Sequence, residues 1–261
     1  MIVSNPLPAT GMFLPAIDIN PKSSASEIVR QDYRTADIFR KYGIGYCCGG
    51  RWPLEMVCAT QQIDLAMLME ELDRATRILQ VSPALPFETW SIDFLTDYII
   101  NVHHRYLYTT IPALGESLRD FAEEHTGKYP YYTTISSHVA RLESGIIPHL
   151  QHEEEVIFPY LRQVAHAYHA SDSFAGLLVK TLRKPVAKLM DSEHEILTNI
   201  LFSFRGLTGN YTPPPGACTS HRVILSRLKE LDHDLTQHIY LENNILFPRV
   251  IHMEKELLER L

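Results

Sequence analysis

Two stretches of the chain repeat one pattern. His149-Leu150-Gln151-His152-Glu153 is followed by Phe158-Pro159, and His238-Ile239-Tyr240-Leu241-Glu242 is followed by Phe247-Pro248, so H-x3-E-x4-F-P occurs twice at identical spacing. Residues four apart lie on one face of a helix about one turn apart, and each repeat therefore sets an imidazole beside a carboxylate. His104 and His194 continue the series. The separations are 45 residues from His104 to His149, 45 to His194 and 44 to His238. Equal steps are what an up-down bundle gives when each helix carries its ligand near mid-height, because every half-helix, turn and half-helix has the same contour length.

The inner sphere this implies is four imidazoles and two carboxylates: His104, His149, His194, His238, Glu153 and Glu242. A closed structural zinc site would want four ligands, usually with thiolates. Six nitrogen and oxygen ligands, two of them carboxylates able to bridge, suit two metals with open positions, and imidazole with carboxylate favours iron or manganese. Di-iron is the reading taken. The ferritin-like alternative needs Glu-x-x-His twice, and the chain has it once, at Glu230-Leu231-Asp232-His233. His103 competes with His104, and His152 with His149. A lone histidine on a helix is usually a surface residue, and His166, His169, His221 and His252 are read that way.

Helices must carry these ligands. Apolar residues recur at three- and four-residue steps, with no alternating strand pattern, so the class is all-α. Four long helices are expected at about 91–124, 133–168, 174–207 and 219–259, separated by segments rich in Gly, Pro, Ser and Asp. Such helices with short connections form an antiparallel up-down four-helix bundle. Gly145 and Pro148 lie within the second, and proline in a helix interior predicts a bend beside the ligands. Trp90, Phe158 and Phe247 read as core residues shielding the site.

The domain reading is an irregular segment over 1–24, a small helical domain over 25–81, a linker over 82–90 and the bundle over 91–261. Helices of the small domain are expected near 26–41, 53–60 and 64–80. Between the first two, Tyr42-Gly43-Ile44-Gly45-Tyr46-Cys47-Cys48-Gly49-Gly50 holds a cysteine pair among four glycines, which implies unusual backbone angles or close backbone approach. Cys47 and Cys48 are the candidate reactive thiols, with Arg51 alongside to favour a thiolate. Cys58 and Cys218 have no partner at ligand spacing and read as small buried hydrophobes.

Composition narrows the function classes. The 261 residues are 45% hydrophobic and 21% charged, with 24 basic against 31 acidic residues, ordinary for a globular chain. Net charge of −7 with scattered basic residues argues against nucleic acid. No membrane span or signal segment is evident, and four cysteines, two of them adjacent, do not make a disulfide scaffold. A cytoplasmic protein is expected.

At this point the chain resembles a known family. Phe39 to Gly50 matches F-R-K-Y-G-x-x-Y-C-C-G-G, Asp234 to Pro248 matches D-x-x-x-H-I-x-L-E-N-N-x-L-F-P, and Thr212 to Thr219 is similar to the loop before the last helix in the Repair of Iron Centres family of di-iron iron-sulfur cluster repair proteins. The likeness runs from about residue 24 onward. It implies a cysteine domain joined to a hemerythrin-like bundle, the same six ligands, Glu153 and Glu242 bridging two irons with an oxo or hydroxo bridge, and a homodimer. The implied function is repair of iron-sulfur clusters damaged by nitric oxide or oxidants, with damaged iron-sulfur proteins as partners. NO reduction, or sensing of O2 or NO, are the alternatives. Oxygen-carrying hemerythrins use five histidines and four align here, which leaves more open coordination.

Overall fold

The computed structural model describes residues 17, 19–47, 50–76, 85–125, 127–170 and 193–259. Cys48 and the first part of the third expected bundle helix lie outside them. The described residues contain helices and no strand, with a single isolated bridge between Ser24 and Pro53. Two compact units divide the chain: Met1–Leu85 with Pro213–Ser226, and Pro86–Thr212 with Arg227–Leu261.

The first unit holds α1 (Ala25–Gln31), α2 (Thr35–Lys41), α3 (Leu54–Gln61) and α4 (Leu65–Thr76). A capping box starts α1: Ser24 Oγ accepts from the Glu27 amide while the Glu27 carboxylate accepts from the Ser24 amide, satisfying two donors a helix start would otherwise orphan. The expected single helix over 26–41 is broken at Asp32, whose backbone is extended (φ −144°, ψ 107°). Its buried carboxylate accepts from the Arg34 amide at 3.0 Å and the Arg34 guanidinium at 2.5 Å, and Arg34 also donates to the Thr76 carbonyl at the end of α4. An aspartate that can bind its own backbone two residues on competes with helix continuation. The core is Ile28, Phe39, Leu54, Cys58, Leu68 and Leu72, joined by Val223.

In the second unit the first bundle helix comprises α5 (Ile92–Tyr98), a π turn (Ile99–His104) and α6 (Arg105–His125). The second comprises α7 (Tyr131–His152), a π turn (Glu153–Ile157) and α8 (Phe158–Ala170). The third is described as α9 (Glu193–Thr208), and the fourth comprises α10 (Thr219–Leu241), whose residues up to Ser226 belong to the first unit, a π turn (Glu242–Leu246) and α11 (Phe247–Glu259). Ser91 caps α5 by accepting from the Phe94 amide. Helix α7 runs through Pro148 from Tyr131 to His152, and the departure from α geometry falls one turn later, at Glu153–Ile157. Beyond α9, Gly209, Asn210 and Tyr211 all have positive φ, and the buried Tyr211 hydroxyl donates to Asp232, which also receives the Arg205 guanidinium. This ties the end of the third helix to the middle of α10.

The three π turns sit at the ligand-bearing level of their helices. In each, an amide donates to the carbonyl five residues back: Arg105 to Ile100, Phe158 to Glu153 and Phe247 to Glu242. The repeated E-x4-F spacing is that five-residue step. Pro159 and Pro248 follow at once and bring no N–H to the ladder, so the helix resets there. Phe158 and Phe247 are buried in one cluster with Leu95, Ile99, Leu161, Leu241 and Val250, and Trp90 packs against it.

Candidate metal centre

The structure brings all six predicted residues of the centre together. Glu153, His104, His238 and Glu242 are at most 1% exposed and His194 is 7% exposed. Two overlapping groups, His104-Glu153-His238-Glu242 and His149-Glu153-His194, each have their candidate ligand atoms within 4.8 Å of one another.

The geometry has two ends. At one, the Nε2 atoms of His104 and His238 are 3.2 Å apart; at the other, the rings of His149 and His194 meet edge to face at 5.3 Å. Each carboxylate reaches both ends. Glu153 lies 3.2 Å from His149 Nε2 through Oε1 and 3.5 Å from His104 Nε2 through Oε2. Glu242 lies 3.0 Å from His238 Nε2 through Oε1 and 3.2 Å from His194 Nε2 through Oε2. Two ligands each about 2.1 Å from one ion and at right angles to it stand about 3.0 Å apart, close to the His104–His238 separation.

Both Glu153 oxygens, Glu242 Oε2 and His194 Nε2 are buried without a well-aligned hydrogen bond. Burying polar atoms in that condition is costly, and a cation at each end would receive their lone pairs. The donor set of neutral nitrogen and carboxylate oxygen fits a first-row transition metal.

A second layer escapes the sequence reading. Glu154 accepts from His104 Nδ1 at 2.9 Å, and Asn243 Oδ1 accepts from His194 Nδ1 at 3.0 Å. Consecutive residues of a π turn thus hold both nitrogens of one imidazole: Glu153 and Glu154 on His104, Glu242 and Asn243 on His194. An Nδ1–H so engaged leaves Nε2 as the lone-pair donor facing inward. The sequence signal was present, since the residue after each repeat's Glu is itself a hydrogen-bond acceptor.

His103 does not replace His104. It is buried behind His238, its ring stacked on that ring at 5.8 Å and its Nδ1 donating to Asp234 at 2.9 Å. His152 faces solvent and does not replace His149. Phe158 stacks on the His104 ring at 5.5 Å, shielding it from water. His166 and His252 are exposed, whereas His221, expected on the surface, is buried in the first turn of α10. Cys58 is buried in the core of the first unit, which pushes its thiol up. Cys218, read as a small buried hydrophobe with no partner at ligand spacing, is half-buried beside Cys47.

Without a cation the centre holds protons. Burial, with His238 beside it, lowers His104 to about 3, so this imidazole is neutral. Burial also works to lower His238, but the Glu242 carboxylate, with Glu153 and Asp234 behind it, outweighs that and lifts it to about 9. Burial and the nearby Glu242 charge raise Glu153. At pH 7 His238 is therefore protonated and must give up its proton to bind a cation. Adding ferrous ion to cation-free protein in weak buffer should release about one proton from His238, a release that fades as pH rises through about 9. Cation affinity weakens as pH falls below that value. A titration with no pH change at pH 7 would contradict the assignment.

Helices of this kind around such a cluster define a cation-binding hemerythrin bundle, and residues 96–250 match the hemerythrin HHE cation binding domain. Residues 22–76 match ScdA_N, a domain of unknown function. The chain belongs to the family of the iron-sulfur cluster repair proteins named YtfE. It is 30% identical over 221 residues to that protein from Edwardsiella ictaluri, covering 84% of this chain and 91% of the relative. With the Enterobacter sp. (strain 638) protein it shares 28% identity over 225 residues, 86% of this chain and 94% of the relative. The figures for Escherichia coli O81 are 28% over 218 residues, 84% and 91%. Among the described residues no helix is long and apolar enough to cross a membrane.

Proposed function

We propose that the protein repairs damaged iron-sulfur clusters, holding two iron ions in the bundle and giving iron to the damaged client. The supporting observation is the two-ended centre: His104 and His238 would hold one iron and His149 and His194 the other, with Glu153 and Glu242 shared between them. Iron bound by nitrogen and oxygen without thiolate is redox-active and exchangeable. The relatives' printed name points to the same activity. In this reading the protein acts in the cytoplasm, its client is a protein whose cluster has been attacked by nitric oxide or an oxidant, and Cys47 and Cys48 pass iron or accept a nitrosyl group.

The test is an anaerobic assay. Iron-loaded protein, a thiol reductant and an NO-inactivated [4Fe-4S] hydro-lyase should regain hydro-lyase activity, while the Glu242→Ala protein should give none. Failure of the loaded parent protein to restore activity above free ferrous ion would reject the repair reading.

One observation favours a second reading, binding or reduction of NO, or of O2. A cavity of about 280 Å3 lined by Leu142, Gly145, Ile146, Leu197 and Ile200 reaches His149. Its walls are mostly apolar, which suits a small neutral molecule. NO consumption measured in the same assay without client distinguishes turnover from repair.

A further inference from the structure

The Cys47 loop and the start of α10 come together within the first unit, although they are far apart in sequence. Gly50 closes the loop by close approach: a Cβ there would stand 2.5 Å from the Gly45 carbonyl oxygen and 2.8 Å from Tyr46 Cα. This close approach brings Gly50 back against Gly45 and Tyr46, next to Cys47. Ser26 then links this loop to α10, because its amide donates to the Gly50 carbonyl at 3.3 Å and its Oγ lies 3.4 Å from Thr219 Oγ1.

Cys218 is the N-cap of α10. Its carbonyl accepts from the Arg222 amide at 3.2 Å, and its sulfur accepts from the amides of Ser220 and His221, the position usually taken by Ser, Thr or Asp. The same sulfur is hydrogen-bonded to Cys47. Both side chains are half-buried and neither is in a disulfide. Burial raises the Cys218 thiol, and its hydrogen bond to Cys47 does so further, with the two amides opposing. Cys218 therefore stays protonated and donates to Cys47.

We propose that Cys47 and Cys218 form a dithiol that exchanges with low-molecular-weight disulfides, Cys47 attacking and Cys218 resolving. This activity is independent of the repair reading. Cys47 thiolate attacks one sulfur of RS–SR; that bond breaks, RS⁻ leaves and takes a proton, and a mixed disulfide remains on Cys47. Cys218 then loses its proton to solvent and its sulfur attacks the Cys47 sulfur. The second RS⁻ departs and is protonated. Two cysteines are oxidised by two electrons and RS–SR is reduced to two RSH. The alternative partner for Cys47 is Cys48, its neighbour in the chain. Adjacent Cα atoms are about 3.8 Å apart across a trans peptide, shorter than the roughly 4.4–6.8 Å a disulfide prefers, so the contact with Cys218 is the less strained choice.

The test uses the full-length iron-loaded protein and oxidised glutathione, followed by alkylation of remaining thiols, proteolysis and mass spectrometry. The expected product is a peptide pair cross-linked through Cys47 and Cys218. In Cys218→Ser the cross-link is lost and the glutathione adduct persists on Cys47. In Cys47→Ser, Cys218 acquires neither cross-link nor adduct, while Cys58 stays reduced in every protein. A Cys47–Cys48 or Cys48–Cys218 disulfide as the main product would overturn the proposal. So would absence of any oxidised species, or a Cys218→Ser protein that clears the adduct as the parent does.

Discussion

Glu242→Ala should lose the capacity to retain iron at both ends of the centre. Glu242 is fully buried, with one oxygen 3.0 Å from His238 and the other 3.2 Å from His194, so alanine deletes a ligand from each proposed iron at once. Ferrous loading without oxygen, gel filtration and metal analysis should find iron far below the parent, and Glu153→Ala should behave alike. The stabilisation that iron confers should vanish with it. A ligand at about 100 times its Kd raises stability by about 2.7 kcal/mol, and the variant should show no iron-dependent rise in unfolding temperature. Retention of the parent's full iron content in both variants would refute the shared-carboxylate arrangement.

The cation-free variant supplies the folding control. Burial works to raise Glu242, but His238 and His194 hold its carboxyl below the usual carboxylate range, and that carboxylate in turn lifts His238 from 6.5 to about 9. A group raised in the folded state stabilises below its unfolded value and ceases to do so as pH rises through its folded value. Loss of the pair should therefore cost the apo-protein most between about pH 4.5 and 6.5, where both partners would be charged, and little above about pH 9. Unfolding temperatures compared in those two pH ranges separate damage to the fold from loss of the metal.

The inner residues were legible because their signal is a spacing. A face repeated every four residues, and a contour length repeated every helix, survive any detail of packing. What lay one layer out was not legible, because it depends on an extra residue in a turn. Hydrophobic periodicity assumes 3.6 residues throughout and does not register one five-residue step, so it does not place Glu154 and Asn243 on the outer nitrogens of His104 and His194. The Phe-Pro pairs carried that information in two helices; the π turn over Ile99–His104 is followed by Arg105 and has no such mark. The helix continues through Pro148, and a π step that the periodicity does not signal falls one turn later, at Glu153. Likewise the break at Asp32 was hidden by apolar residues on both sides that keep helical phase. Cys218 could not be paired with Cys47 from the sequence, because their proximity is a product of the fold.

Deleting Glu155 should keep the bundle and weaken the metal centre. Glu155 is exposed within the π turn Glu153–Ile157, and its removal turns the five-residue step from Glu153 to Phe158 into the four of an α-helix. Phe158, Leu161 and Val164, all in the core, would then keep their facing, because the residue removed is the one the bulge inserted. Helical circular dichroism and cooperative unfolding should persist. Regular α geometry spreads successive side chains about 100° apart, so Glu153 and Glu154 could no longer address Nε2 and Nδ1 of the same His104 ring. Loss of a partner that orients a metal-binding histidine typically costs about 10–100-fold in metal affinity, and ferrous titration of the deletion protein should fall in or beyond that range. Glu154→Leu, which keeps the length of the turn and removes the acceptor at 2.9 Å, should give a loss within it. If the deletion folds and binds iron like the parent, the π turn is a packing accommodation and the double grip on His104 has no bearing on the metal.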